Sequence, residues 1–213
     1  MHYVSIDLET TGTKPGRHQI IEFGAVIENT NKNTRIEDLP RFKRIVRHPE
    51  YTGQAFAFNL NARIFQELVQ PTGATQVCQP EELAEEFKSF LVNNGFDPDE
   101  KGYIRLVAAG KNFGNFDLQF LNKLPNWRAH IRVSNMILDP AMYYINFATD
   151  TILPSLEECK KRAGLEDTIV THDALDDALD VVRLLRLQYK KRLAAITTIS
   201  IKPECILITD SYS

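Results

Sequence analysis

The chain is short of cysteine and has no long apolar run, and each shortage excludes a class of protein. Its three cysteines, Cys78, Cys159 and Cys205, are odd in number and far apart, which argues against a disulfide framework or a zinc cluster. No segment approaches the roughly 18 apolar residues of a membrane span, and the first residues lack the pattern of a signal peptide. We therefore expect a cytoplasmic protein with no membrane partner.

Basic residues are also in short supply for a protein that would bind nucleic acid. The sequence contains 25 Lys plus Arg against 28 Asp plus Glu, a formal net charge of -3. A long electrostatic track for a polyanion is therefore not expected. The sequence contains no P-loop, no dinucleotide-binding glycine motif, no G-x-S-x-G elbow and no H-E-x-x-H.

Strand and helix patterns alternate along the 213 residues, without an internal repeat or a low-complexity linker. Strands are predicted over 2–8, 20–27, 42–46, 104–109 and 133–138. Helices are predicted over 61–69, from about 80 to a stop at Asn94, over 116–124, from Ser155 to Gly164, and from about Asp173 to Arg192. This order indicates an α/β sheet domain over residues 1–192. Residues 193–213 form a C-terminal extension that could be a strand or a frayed end.

Three short acidic motifs carry the candidate chemistry. Asp7 and Glu9, in the segment D-L-E-T-T-G, lie two residues apart on the first strand, so their carboxylates project from one face. Asp117 follows an apolar strand and opens a helix, where the helix dipole favours an acid. His172 precedes the last helix and Asp177 lies within it. Alone, each motif is more typical of a solvated strand end or a helix cap than of a site.

The ordered combination of the motifs resembles the DEDDh-type 3′–5′ exonuclease superfamily, which includes proofreading exonucleases, RNase T and oligoribonuclease. The resemblance covers Tyr3 to about Arg192 and includes the segment Ile20–Val26. It implies an RNase H-like mixed β-sheet flanked by α-helices. It also implies two divalent metal ions, Mg²⁺ or Mn²⁺, and a single-stranded 3′ end as substrate.

The resemblance assigns a role to each acidic position. Asp7 would bridge the two ions, Glu9 and Asp177 would bind the ion that holds the attacking water, and Asp117 would serve the second ion. His172 would act as general base. The backbone at Thr10 would receive the terminal nucleotide, and Asn112 would line the substrate site. Metal ions would also neutralise carboxylates that otherwise repel one another.

One departure from the family pattern affects the asparagine. The family places it four residues before the F-D aspartate, whereas Asn112 is five before Asp117, so Asn115 is a rival. Asp139 is interpreted as structural.

Three functions remain open from the sequence. The first is a metal-dependent 3′–5′ exonuclease that releases nucleoside 5′-monophosphates from DNA or RNA. The second is a catalytically silent nucleic-acid-binding module of the same fold, and the third is a phosphatase acting on small phosphate esters. The sequence leaves the oligomeric state open between monomer and homodimer.

Overall fold

A six-stranded mixed sheet forms the centre of the molecule. The computed structural model describes the backbone of residues 1–200 and the side chains of residues 1–190. The strands are β1 (His2–Thr10), β2 (Ile20–Asn29), β3 (Arg41–Val46), β4 (Val77–Cys78), β5 (Ile104–Ala109) and β6 (Ile131–Leu138). Their order across the sheet is β4-β3-β2-β1-β5-β6. β1, β2 and β3 pair antiparallel, whereas β5 and β6 continue parallel to β1.

Helices flank this sheet. They are α1 (Ala55–Leu60), α2 (Ala62–Val69), α3 (Pro80–Asn93), α4 (Asp117–Leu121), α5 (Trp127–His130), α6 (Ala141–Tyr144), α7 (Leu156–Ala163) and α8 (Ala174–Ser200). A 3₁₀ turn, Ile36–Asp38, precedes β3. None of the helices in this described part of the chain combines the length and the apolar character needed to cross a membrane.

β1 separates two apolar cores. Val4, Ile6 and Leu8 point into one core with α3 and α4, as their alternation predicts. The opposite face carries Tyr3, Ser5 and Asp7, yet Tyr3 and Ser5 are only 1% and 0% exposed there. That face is buried because α8 lies across it, so alternation along β1 marks two different interiors rather than an interior and a surface.

Most predicted elements are confirmed, and the differences have local causes. The predicted helix over 116–124 ends at Leu121, and a separate short helix, α5, follows. Pro125 disfavours helical geometry at the residue before it, which accounts for the early stop. α1 and β4 were not predicted, because segments of six and two residues carry little periodicity.

The last helix is longer than predicted. It was expected to end near Arg192, and it continues to Ser200, so residues 193–200 form neither a strand nor a frayed end. The predicted division between residues 1–192 and 193–213 therefore falls inside α8 and stays a prediction. Residues 201–213 lie outside the described part of the chain.

Candidate active site

The central strand supplies the first two carboxylates of the site. Asp7 lies opposite Gly24 of β2, and Glu9 lies opposite Glu22. Glu9 is only 7% exposed, whereas Asp7 keeps a partly exposed surface. Because β1 has neighbours on both sides, these side chains leave the sheet near its middle rather than at an edge.

Gly24 of β2 allows the last helix, α8, to come close to the sheet. A Cβ atom on Gly24 would lie 2.2 Å from the carbonyl carbon of Ala174, so the first residue of α8 touches the backbone of β2. The backbone N–H of Ala174 donates a hydrogen bond of 2.9 Å to Oε2 of Glu22. This close approach brings Asp177, one turn into α8, over the end of β1. Asp177 is 4% exposed.

Glu9, His172 and Asp177 form the tightest cluster. One ligand atom from each lies within 4.8 Å of the other two, and Nδ1 of His172 is 3.9 Å from Oε1 of Glu9. The side chain of His172 is 43% exposed, while the Glu9 side chain is 10% exposed. His172 has a φ of +53°, a left-handed conformation that is uncommon for residues other than glycine. The imidazole therefore stands on the solvent side of two buried carboxylates.

Asp117 lies after β5, the strand that runs parallel to β1. It is the first residue of α4 and is 3% exposed. Backbone hydrogen bonds from Leu8 and from Asp117 itself reach its carboxylate. These bonds tie the start of α4 to β1, so Asp117 lies beside Asp7.

Burial raises the pKa values of all four carboxyl groups. The pKa of Glu9 rises to about 7, chiefly through burial and then through repulsion from Asp177. The pKa of Asp177 also rises to about 7, chiefly through burial and then through repulsion from Asp180. Burial raises the pKa of Asp117 to about 8. The pKa of Asp7 rises well above its usual range through burial and then through repulsion from Asp117, Asp177 and Glu9. Because the four carboxyl groups are costly to ionise together, a cation bound between them would be strongly favoured.

The residues present fit a divalent cation. Oδ1 of Asp177 is buried without a hydrogen-bond partner, and a buried acceptor in that state is costly unless something coordinates it. Carboxylate oxygens are the ligands that Mg²⁺ and Mn²⁺ prefer. Asp7, Glu9, Asp117 and Asp177 could together hold such ions.

Two features of the site were not predicted. Glu22, the only charged residue in the apolar run 20–27, is 0% exposed and forms ion pairs of 3.1 Å with Lys43 and 2.9 Å with Arg63. Asn61 is 3% exposed, hydrogen-bonds Glu9, and donates to the Thr10 carbonyl at 3.3 Å. The lone charge in an apolar strand was a usable signal for Glu22, whereas nothing in the sequence pointed to Asn61.

The two predicted substrate-binding residues differ in placement. Thr10 is 6% exposed, and its hydroxyl donates to the Gly12 carbonyl at 2.8 Å, so only its backbone borders the site. Asn112 is exposed, and its side-chain oxygen accepts from Asn115 at 3.2 Å. Its backbone N–H donates to Asp139, which also accepts from the backbone of Ala141. The rival asparagines are thus joined, and Asp139 is occupied by backbone contacts.

The segment before α1 docks against the residue after Thr10. Gln54 donates to the Thr11 carbonyl at 2.8 Å, and the Thr11 hydroxyl donates to the Thr52 carbonyl at 2.6 Å. A Cβ on Gly53 would lie 2.2 Å from the Thr11 carbonyl oxygen, so this position needs glycine. α1 therefore stands next to β1 and presents Phe56, which is 76% exposed.

Comparison with known proteins gives one family and several solved structures. A family model described as Exonuclease matches residues 4–185. Escherichia coli exonuclease I in complex with a 5cy-dT13 oligonucleotide matches with a TM-score of 0.59 and 16% identity, over 92% of this chain and 42% of that one. The catalytic unit of Neurospora crassa Pan2 matches with a TM-score of 0.56 and 15% identity, over 93% of this chain and 28% of that one.

A full-length 3′-exonuclease matches with a TM-score of 0.57 and 17% identity, over 90% of this chain and 60% of that one. This chain therefore spans less than two thirds of the length of each of these three structures. At such identities the likeness establishes the fold, and it confirms the predicted RNase H-like sheet of the exonuclease type. A comparison with curated proteins finds no match.

Proposed function

The chain belongs to the exonuclease family, within the 3′–5′ exonuclease superfamily, and from this premise we propose that it is a metal-dependent 3′–5′ exonuclease. It hydrolyses the phosphodiester bond at the 3′ end of single-stranded DNA or RNA and releases nucleoside 5′-monophosphates. The observation that carries this proposal is the convergence of Asp7, Glu9, Asp117 and Asp177, with His172 on the open side of the cluster.

The four carboxylates serve as metal ligands in this proposal. Asp7, Glu9 and Asp177 would hold one divalent ion, Mg²⁺ or Mn²⁺, and Asp7 and Asp117 would hold a second. When bound, two such ions stabilise the attacking and leaving oxygens of an in-line displacement. The carboxylates of the chain set the position of that charge, and their burial keeps water from competing for them.

His172 takes the proton from the attacking water. Its imidazole lies beside Glu9 and Asp177 yet remains 43% exposed, so it can accept a proton on the site side and release it to solvent. Its left-handed backbone is followed directly by two anchored residues. Asp173 caps α8 by accepting the backbone N–H of Leu175 at 3.1 Å, and Ala174 is tied to Glu22.

The 3′-terminal nucleotide lies between the backbone of Thr10 and helix α1. Phe56 offers an exposed aromatic face there, and base–aromatic stacking tolerates any base. This arrangement requires an unpaired base, which supports a single-stranded substrate. The proposal places the enzyme in the cytoplasm, where the buried thiols of Cys78 and Cys159 stay reduced. A homodimer has no support in the comparisons and is not proposed.

Paired variants on α8 test the proposal. Asp177→Asn removes a buried ligand, whereas Asp176→Asn changes its exposed neighbour on the same helix. Each variant and the wild type are incubated with 5′-labelled DNA and RNA strands in EDTA, Mg²⁺ or Mn²⁺, and products are resolved over time.

We expect metal-dependent shortening from the 3′ end by the wild type and by Asp176→Asn, and none by Asp177→Asn or His172→Ala. If Asp177→Asn degrades strands at the wild-type rate, the metal assignment fails. If the wild type binds strands but releases no mononucleotide in any metal, the silent binding module is correct. If it cleaves only small monoesters, the phosphatase is correct.

A further inference from the structure

Three cationic side chains next to the catalytic strand have no partner. Most lysines and arginines that the structure describes are engaged in ion pairs or in hydrogen bonds to carbonyl groups, such as Arg44 with Glu86. Eight described cations make neither kind of contact; five of them are Lys32, Lys88, Lys101, Lys111 and Lys190, and the three near the end of β1 are Lys14, Arg17 and Lys123. All three are exposed. Unpaired cations grouped on one surface are free to bind an anion from outside the chain.

Two of these cations, Arg17 and Lys123, line a cleft. Its volume is about 290 Å³, and Arg17, His18, His48 and Lys123 line it together with apolar residues. The lining contains no carboxylate among the residues that the structure describes. In a chain with net charge -3, a cleft with only basic charged groups selects for an anionic ligand.

The turn that carries Lys14 and Arg17 is held rigidly. The backbone N–H of Lys14 donates to Nδ1 of His18 at 3.0 Å, and the N–H of His18 donates to the Lys14 carbonyl at 2.9 Å. The His18 ring lies over Gly12, where a Cβ would come within 2.3 Å of Nδ1. The glycine of the D-L-E-T-T-G motif thus makes room for the side chain that closes the turn. A rigid turn loses little entropy when its charges engage a ligand.

The cleft adjoins the catalytic centre on two sides. Thr52 lines it and also contacts Thr11, directly after the terminal-nucleotide position. Lys123 follows Asp117 by six residues, through α4 and the turn after it. A strand whose 3′ end lies at Thr10 can therefore bring its upstream phosphates to the cleft.

We propose that this cleft binds the sugar–phosphate backbone of the substrate upstream of the scissile bond, with Arg17 and Lys123 contacting phosphates. The inference rests on the proposed exonuclease function and extends it to the substrate class. The preferred substrate is a strand long enough to reach the cleft, of either DNA or RNA, rather than a dinucleotide.

The test compares eight-nucleotide strands, which reach the cleft, with an ester and a dinucleotide, which do not. The double variant Arg17→Ala/Lys123→Ala is matched to Lys32→Ala/Lys101→Ala, which removes two exposed lysines at the opposite end of β1. Substrates are the p-nitrophenyl ester of thymidine 5′-monophosphate, a dinucleotide, and eight-nucleotide strands of DNA and of RNA. Rates are measured from about 50 to 200 mM salt, over which phosphate contacts weaken steeply.

We expect the cleft variant to raise KM for eight-nucleotide strands about tenfold with kcat unchanged. It should lower the salt slope by about 1.4, because each of the two lost contacts to a single strand contributes about 0.7. The ester and the dinucleotide should be hydrolysed within about twofold of the wild-type rate, as should all substrates by the control variant. Equal KM for long strands in both variants would overturn the inference. Equal losses on ester and strand would overturn it too, since the residues would then act at the catalytic centre. No ester or strand hydrolysis by the wild type would instead overturn the proposed function.

Discussion

The contact between Gly24 and the start of α8 makes a demanding prediction for Gly24→Ala. The added Cβ would lie 2.2 Å from the Ala174 carbonyl carbon and 2.3 Å from both its oxygen and the Leu175 nitrogen, where ordinary contact begins at 3.4 Å. All three are backbone atoms, so no side chain can turn aside, and the helix must move by about 1.2 Å (3.4 less 2.2). Overpacking of this kind costs about 1–3 kcal/mol.

Two measurements follow from that displacement. The melting temperature should fall by about 2–12 °C, because each kcal/mol corresponds to about 2–4 °C at this chain length. Phosphodiester hydrolysis should fall about 100-fold, because a displacement near 1 Å carries His172 and Asp177 away from Glu9. Differential scanning fluorimetry and a strand-shortening assay report the two effects separately.

Gly73→Ala is the matched control, since a Cβ at Gly73 meets nothing within 4 Å. This variant should keep the wild-type melting temperature and activity. If Gly24→Ala behaves like Gly73→Ala in both assays, α8 does not touch β2 at Gly24 and this contact does not position Asp177. If only stability falls, the position of α8 does not govern catalysis.

Two further predictions concern charge. Burial raises the pKa values of Glu9 and Asp177 to about 7 in the metal-free native state, whereas these groups lose their protons near pH 4 in the unfolded chain. The native state therefore binds more protons than the unfolded chain between these values, and the free energy of unfolding should fall from about pH 5 to 8. The gain in melting temperature from Mg²⁺ should grow over the same interval, and a gain independent of pH would contradict this. Lys160→Met removes the buried one of the two ion-pair partners of Asp180 and leaves only Arg183, so it should cost about 1–3 kcal/mol in urea unfolding. The exposed neighbour variant Lys161→Met should cost under about 0.5 kcal/mol, and equal costs would refute the role of the buried pair.

Much of the sheet could be predicted because strand alternation is a local property. β5 was predicted with its observed bounds. The placement of Asp7 and Glu9 on one face of β1 follows from the two-residue repeat of a strand alone. The convergence of the three motifs was available only through their resemblance to a family. Periodicity says nothing about which helix crosses which strand, and that crossing depends on Gly24.

The supports of the site were harder to predict than its chemistry. Asn61 lies between two short helices with no distinctive pattern, yet it contacts the catalytic strand. Glu22 appeared as a single interruption of an apolar run, and its partner Arg63 is distant in sequence. Such contacts arise from tertiary packing, so single-sequence patterns do not specify them.

The position of α8 in the chain gives the order in which the site can be completed. β1 supplies Asp7 and Glu9 at the beginning of the chain, and Asp177 comes near its end. At a synthesis rate of about 5–20 residues per second, Asp177 is made roughly 3–12 s after Asp117. A growing chain therefore carries three carboxylates without the helix that brings the fourth and His172 over them. The candidate site is therefore incomplete until α8 has been made and docks on Gly24.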